Sequence, residues 1–239
     1  MFALDAAAGR LIWQYRPPPP RAARPGGQGY ALNRGVAVSD GKVFFGSTDN
    51  FLVALDEKIG HEIWRVAVDD VKQCGCNITA APLIVRDKVV VGGTGADAAH
   101  RGYLTAFYAA TGRLAWRWFV IPGSGEKGHE TWKGDSWKYG GGAPWMTGSY
   151  DPDLNLIYWG TGNASGDFYD GDRNPGIEKS KDLNLYTASV VALDADTGKI
   201  ALAPSGGSRR PVGFRFFLRS DSFRSRSART NAKASRPHE

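Results

Sequence analysis

Three stretches of the sequence carry side chains that could hold a metal ion and a flat cofactor. Asp97 lies in a turn of small residues that follows the apolar run at 89–91, Trp145 ends a glycine-rich stretch, and Asn163 follows Gly162. Carboxylate and amide oxygens are ligands of hard cations such as Ca²⁺, and an indole offers a surface for stacking. The three stretches predict a metal-assisted cofactor site, provided that the fold brings them together.

An internal repeat indicates what that fold is. The stretch 3–13 recurs at 54–64 and 106–116, and a fourth copy begins at residue 192. Each copy reads as strand, turn and strand, and another hairpin precedes it, which gives roughly four strands in every fifty residues. This pattern is typical of β-propeller blades. A β-sandwich with accidental similarity between its segments is the alternative.

Composition agrees with an all-β chain and limits its partners. Among 239 residues there are 31 Gly, 8 Trp, 9 Tyr and 11 Phe, which suits short strands joined by tight turns. The sequence has no apolar run of 18 residues, so no membrane span is predicted. The first residues have neither the basic nor the apolar region of a secretory signal, so none is predicted in this chain.

The last part of the chain departs from the repeat. Residues 203–239 hold nine Lys/Arg against two acidic residues, a net +7, so the +6 of the whole chain leaves −1 for the rest. The repeat-bearing part is therefore close to neutral, and no nucleic-acid partner is predicted. We predict that the Arg/Ser-rich segment 201–239 is disordered or translated out of frame. A basic arm for RNA or anionic lipid is the alternative.

Cys74 and Cys76 are the only cysteines. Two cysteines cannot complete a zinc site, and no histidine stands near them at ligand spacing. Along an extended strand their side chains would be too far apart for an easy bridge, although Gly75 could bend the chain. The pair is interpreted as structural, either reduced or joined in a local disulfide, with a redox role as the alternative.

The insertion after the third repeat is the longest, because 86 residues separate Ala106 from Ala192. Long loops in a compact repeat fold are usually functional. Within it, His129 and Glu130 are interpreted as loop contacts in preference to an acid/base pair.

The repeat resembles the tryptophan-docking motif of quinoprotein propellers, and the loops between its copies resemble the methanol/ethanol family of pyrroloquinoline-quinone (PQQ) dependent dehydrogenases. The similarity is ordered along residues 1–200, through the loops at 33–38, 77–83, 92–97, 101–102, 123–126, 145–152, 161–163 and 182–186. It implies about four blades of an eight-bladed quinoprotein propeller, with Trp13, Trp64 and Trp116 packed between blades. Met1 falls inside a repeat unit, so we expect a chain truncated at both ends.

The resemblance also implies a set of site residues. Arg34 would pair with a carboxylate of PQQ, Trp145 would stack on the quinone, and Asp97 and Asn163 would ligate Ca²⁺, with a lanthanide left open. Further contacts to the cofactor are implied at Thr79, Thr94, Gly95 and Ala96.

Three departures from the family pattern are visible. Asp97 stands where many relatives have glutamate, Ala143 replaces a frequent hydroxyl residue, and Gln28-Gly29 occupies the place of an adjacent cysteine pair.

The catalytic aspartate of the family would fall beyond the fourth repeat. Asp221 has no motif around it, so no catalytic residue is assigned.

The implied function is that of an oxidoreductase. The intact enzyme would oxidise primary alcohols to aldehydes in the periplasm by hydride transfer to PQQ, and would pass electrons to cytochrome c. This chain alone is expected to be inactive. The alternative is a non-catalytic propeller of the same repeat that serves as a protein-interaction scaffold.

Overall fold

The computed structural model describes residues 1–18, 32–95, 100–165 and 183–202. The strands in chain order are β1 (Phe2–Leu4), β2 (Leu11–Gln14), β3 (Ala37–Ser39), β4 (Lys42–Gly46), β5 (Phe51–Asp56), β6 (Glu62–Ala67), β7 (Leu83–Val85), β8 (Lys88–Gly92), β9 (Tyr103–Tyr108), β10 (Leu114–Phe119), β11 (Ser149–Asp151), β12 (Leu156–Gly160), β13 (Val190–Asp194) and β14 (Ile200–Leu202). One α-helical turn, α1 (Val71–Cys74), and two 3₁₀ turns (His129–Thr131 and Ser136–Tyr139) complete the elements in this part of the chain. None of these helical turns is long and apolar enough to cross a membrane.

The strands form antiparallel sheets in strict chain order. Sheet 1 pairs β1 with β2, sheet 2 runs β3 to β6, sheet 3 runs β7 to β10, and sheet 4 runs β11 to β14. In every sheet the last two strands carry a register shift at equivalent positions of the repeat, for example between Ala54 and Leu55 in sheet 2. The recurrence of sheet and bulge confirms the predicted all-β, partial β-propeller architecture.

Successive side chains of an inner strand point to opposite faces of the sheet, and both faces are buried, which explains why β4, β5 and β8 are mainly apolar. Phe45 faces a cluster shared with sheet 1, whereas the adjacent Phe44 faces a cluster shared with sheet 3. In β8, Val89 packs towards sheet 2 and Val90 towards sheet 4. The inner sheets therefore bury both faces, and the core consists of seams between successive sheets.

The repeated tryptophans dock from each sheet onto the next. The indole N–H of Trp13 donates to the carbonyl of Glu57 at 2.8 Å, that of Trp64 to Ala109 at 3.1 Å, and that of Trp116 to Ala195 at 3.1 Å. These contacts confirm the structural role that the sequence predicts for the three indoles.

The glycine of each turn packs against the indole of the preceding sheet. A methyl group built on Gly60 would meet the Trp13 ring at 2.6 Å, and one on Gly112 would meet the Trp64 ring at 2.9 Å. Gly198 is related to Trp116 in the same way, at 2.5 Å. The glycine of the motif thus serves two purposes: a positive φ for the turn and room for the preceding tryptophan.

The acidic residue of the motif caps the same turn. The Asp56 carboxylate accepts hydrogen bonds from the N–H groups of Lys58 at 2.8 Å and Ile59 at 3.0 Å. These bonds to the ionised form lower the pKa of Asp56. Asp194 accepts from Thr197 through both the backbone and the hydroxyl, and its pKa is lowered as well.

A pair of alanine substitutions separates the two purposes of the motif glycine. Gly9 has φ +65° with no atom within 4 Å of a built methyl group, whereas Gly60 has φ +72° and lies against Trp13. Because only Gly60→Ala overpacks the seam, we expect it to lower the free energy of unfolding by about 1–3 kcal/mol more than Gly9→Ala. Urea unfolding curves of the two variants give this difference. Equal losses would contradict the docking role.

Candidate functional site

The topology brings the described residues of the predicted site to one edge of the sheets. Arg34, Thr79 and Trp145 precede the first strands of sheets 2, 3 and 4, and Thr94 and Asn163 follow the second strands of sheets 3 and 4. Because these first and second strands are antiparallel, the start of one and the end of the other lie together. We call this side of the sheets the upper edge.

Three residues from three different sheets meet at the upper edge. The Arg34 guanidinium carbon lies 5.2 Å from the centroid of the Trp145 ring. The Arg34 N–H donates to the Thr79 carbonyl at 2.9 Å, and the Thr79 hydroxyl donates to the Trp145 carbonyl at 3.4 Å. Trp145 remains 38% exposed. The upper edge therefore presents a solvent-accessible indole beside the guanidinium group of Arg34.

Backbone contacts secure the position of Trp145. The Thr147 hydroxyl donates to the Ala81 carbonyl at 2.8 Å, which ties the Trp145 loop to the loop that carries Thr79. On the other side, a methyl group built on Gly162 would lie 3.6 Å from the indole. Asn163 therefore follows a residue that is packed against Trp145.

The placement of Thr94 could not be derived from the sequence. Its N–H donates to the Asn77 carbonyl at 2.8 Å, the Asn77 N–H donates to its hydroxyl oxygen at 3.1 Å, and that hydroxyl donates to the Asn77 side-chain oxygen. Thr94 is thus held by Asn77, and its hydroxyl proton is already engaged. Gly95 follows with φ +108° and packs against Cys76.

Asp97 and Ala96 lie outside the described residues, but the segment after them is fixed. The Gly141 N–H donates to the His100 carbonyl at 2.9 Å, and Gly102 donates back to the Gly141 carbonyl at 2.7 Å. The Gly142 N–H donates in turn to the Asn163 carbonyl at 2.7 Å. Residues 100–102 are therefore linked to Asn163 through one hydrogen-bonded segment, 141–142.

Glycine is required where these segments cross. A methyl group on Gly102 would approach Gly142 to 2.7 Å, and one on Gly141 would approach the Ser165 nitrogen to 2.5 Å. The exposed Asn163 amide donates to the Ala164 carbonyl at 3.0 Å. An amide oxygen, not an amide nitrogen, is the atom that binds a hard cation.

Arg101 supports the insertion after sheet 3, a role that the sequence reading missed. Its guanidinium lies between the rings of Phe119 and Trp137, at 4.2 and 4.9 Å, and donates to the Ile121 carbonyl at 2.6 and 2.9 Å. Glu126 pairs with it at 3.5 Å. Burial lowers the pKa of Arg101, against the effect of Glu126.

His129 and Glu130 are bonded within their own loop. The His129 Nδ1 lies 3.2 Å from the Pro122 carbonyl oxygen, and the Glu130 carboxylate accepts from the Gly128 N–H at 2.9 Å. These contacts agree with the interpretation of the two residues as loop contacts.

Cys74 and Cys76 form a disulfide, which decides between the structural alternatives left by the sequence. Both residues are buried. Gly75, at φ +58°, supplies the bend that brings the two side chains together.

The donor set of the upper edge fits a planar aromatic polycarboxylate. Arg34 provides a guanidinium for a carboxylate, and the partly exposed indole of Trp145 provides an aromatic ring for stacking. Within the described residues there is no group of three His, Cys, Asp or Glu side chains that could hold a metal ion. Besides the Asn163 amide, the carboxylate that the sequence predicts as a cation ligand is that of Asp97, which lies outside the described residues.

Known proteins are similar to the repeat-bearing part of the chain. Residues 1–201 match the PQQ family, described as glucose/ethanol/alcohol dehydrogenase, beta-propeller domain. The quinohemoprotein alcohol dehydrogenase ADH-IIG of Pseudomonas putida is 42% identical over 210 residues, which cover 83% of this chain and 29% of the relative. The chain thus spans less than a third of the length of this relative.

Solved structures agree with this match. The crystal structure of the quinohemoprotein alcohol dehydrogenase of Comamonas testosteroni superposes with a TM-score of 0.75 at 37% identity, over 85% of this chain and 31% of the other. A europium-containing methanol dehydrogenase superposes with a TM-score of 0.72 at 32% identity, over 84% and 37% of the respective chains. With this agreement in sequence and fold, the chain belongs to the PQQ-dependent glucose/ethanol/alcohol dehydrogenase family of β-propellers.

Proposed function

We propose that this chain supplies part of the PQQ- and metal-binding surface of an alcohol dehydrogenase that oxidises primary alcohols to aldehydes. The observation that carries the proposal is the convergence of Arg34, Thr79 and Trp145 from three sheets. A propeller that acted only as a scaffold would have no need of an exposed indole beside a guanidinium at this edge.

Each residue has a defined task in the proposed site. Arg34 neutralises a carboxylate and fixes the in-plane orientation of the cofactor, because a guanidinium fork binds a carboxylate in one geometry. Trp145 supports one face of the ring system and excludes water from it. Thr79 holds the Trp145 backbone and offers its hydroxyl oxygen as an acceptor. Thr94, Gly95 and Ala96 are proposed as further contacts to the polar rim of the cofactor.

Asp97 and Asn163 are proposed as the protein ligands of the metal, Ca²⁺ or a lanthanide. Carboxylate and amide oxygens suit either of these hard cations. The bound PQQ would supply the quinone that accepts a hydride from the alcohol. The contribution of this chain is to hold a cation near that quinone and to orient its plane.

Turnover also requires a base to accept the alcohol proton. We assign none of the described carboxylates to this role, and we propose that the chain by itself binds PQQ without oxidising alcohols. The intact enzyme would work in the periplasm and pass its electrons to a cytochrome c. The Cys74–Cys76 disulfide supports an oxidising compartment.

The proposed function is tested by separating binding from turnover. PQQ is titrated into the full chain with Ca²⁺ present, binding is followed by quenching of tryptophan fluorescence, and a dye-linked alcohol assay is run on the same sample. We expect saturable binding without turnover. Absence of binding would refute the proposal and favour the scaffold, whereas robust dye reduction would refute only the assignment of an inactive chain.

Arg34 can be compared with a second stacked arginine at the opposite edge. The Arg113 guanidinium lies 4.7 Å from the Tyr108 ring in the turn between β9 and β10, as Arg34 lies 5.2 Å from Trp145. We expect Arg34→Ala to weaken PQQ binding roughly 10- to 100-fold, because a charge-assisted hydrogen bond is lost. Arg113→Ala should leave the dissociation constant unchanged. An equal effect of the two changes would contradict a carboxylate-binding role for Arg34.

Metal binding is tested through the side chain of Asn163. We expect Ca²⁺ to strengthen PQQ binding to the unchanged chain, and Asn163→Leu to abolish this strengthening because an oxygen ligand is lost. Asn163→Asp keeps an oxygen at the same position and should retain the metal effect. If Asn163→Leu responds to Ca²⁺ like the unchanged chain, residue 163 is not a ligand.

A further inference from the structure

The Cys74–Cys76 disulfide has no task in the proposed reaction, yet it lies directly behind the cofactor-binding segments. Cys76 is fully buried and Cys74 is 6% exposed. A methyl group built on Gly95 would meet the Cys76 Cβ at 3.1 Å, the Cys76 Cα at 3.2 Å and the Cys74 carbonyl oxygen at 3.3 Å. The disulfide-bonded turn is therefore the surface on which the Gly95 backbone rests.

Buried polar groups hold the sulfur atoms in place. The Asn50 side-chain amide lies 3.2 Å from the Cys76 sulfur and 3.9 Å from the Cys74 sulfur, and it also donates to the Asp69 carbonyl at 3.2 Å. The Tyr103 hydroxyl lies 3.5 Å from the Cys76 sulfur on the other side. Burial raises the pKa of Tyr103, which keeps this hydroxyl protonated. Sheets 2 and 3 thus both fix the turn.

The turn leads directly into residues of the site. Asn77 follows Cys76 and binds both the backbone and the hydroxyl of Thr94, and Thr79 lies two residues further on. Displacement of the turn would therefore move two cofactor-binding segments at once, 77–79 and 94–95.

We propose that the Cys74–Cys76 disulfide is a positioning element for these two segments, so that PQQ binds tightly only when the pair is oxidised. This inference rests on the proposed function. The disulfide closes a loop with a sequence separation of only 2, so it removes little conformational entropy from the unfolded chain. Its effect is accordingly local to the site and small for the rest of the fold.

The first experiment contains no PQQ. Dithiothreitol transfers two electrons and two protons to the pair: the S–S bond breaks, two thiols form, and the reagent closes to its cyclic disulfide. We expect amide hydrogen exchange in residues 75–79 and 92–95 to accelerate about tenfold or more on reduction. Exchange in β11 and β12 should stay unchanged, because these strands belong to sheet 4 whereas residues of sheets 2 and 3 hold the turn. Unchanged exchange at the turn, or uniform acceleration along the chain, would overturn the proposal.

The second experiment measures PQQ binding without a thiol reagent, since thiols react with quinones. We expect Cys74→Ser/Cys76→Ser to weaken PQQ binding about tenfold, with a urea midpoint close to that of the unchanged chain. Unaltered binding by this variant would overturn the proposal. Failure of the unchanged chain to bind PQQ would instead refute the proposed function, while the exchange experiment would still decide whether the disulfide positions the two segments.

A pair of glycine variants covers the case in which the serine variant does not fold. Gly95→Ala pushes against Cys76 with the disulfide intact, at a backbone with φ +108°, whereas Gly41→Ala places a methyl group at a positive φ of +73° with no atom within 4 Å. We expect Gly95→Ala to weaken PQQ binding about tenfold and Gly41→Ala to leave it unchanged. Equal binding by the two variants would overturn the proposal that the turn sets the position of Gly95.

Discussion

The packing of one tryptophan onto one glycine of the next sheet is the contact on which the architecture depends. It occurs three times, from Trp13 to Gly60, from Trp64 to Gly112 and from Trp116 to Gly198, each time with the indole N–H bonded to a carbonyl of the same turn. A large planar side chain with one hydrogen-bond donor fixes both the distance and the orientation of neighbouring sheets. Every other contact between the sheets has to be compatible with this spacing.

The site at the upper edge follows from that spacing. The tryptophan contacts fix the sheets at the turns between their third and fourth strands, on the side opposite the upper edge. The loops that precede the first strands are then close enough for Arg34, Thr79 and Trp145 to touch. Gly102, Gly141 and Gly142 then allow three backbone segments to cross at distances that exclude any side chain. Rigid sheets and closely packed loops together give a preformed surface, so little ordering remains to oppose the binding of a ligand.

The sequence predicts most of the fold because the repeat encodes it locally. The turns between the strands and the packing of the tryptophans between sheets are as expected, whereas the contact of each indole with the motif glycine of the next sheet is known only from the structure. Sequence similarity also placed Arg34, Thr79 and Trp145 at one site, and the structure brings them into contact. The roles of all these residues in cofactor or metal binding remain predictions, and Asp97 and Ala96 also lie outside the described residues.

What the sequence could not supply depends on contacts between distant segments. The hydrogen bonds between Asn77 and Thr94 join residues 17 positions apart in the chain. No local sequence pattern distinguishes Asn77 from any other loop asparagine. Whether Cys74 and Cys76 are reduced or form a disulfide depends on the backbone conformation at Gly75, which the sequence does not specify. Arg101 could not be distinguished from a solvated charge until its two aromatic neighbours were known.

The docking contact also gives the stack of sheets a direction. Each motif uses its tryptophan on one side and its glycine on the other, so a sheet inserted back to front would oppose two indoles across one seam and two glycines across the next. A sheet of this repeat therefore cannot be inverted in the stack. The orientation of each sheet is set by two residues of its motif, the glycine in the turn before the last strand and the tryptophan within that strand.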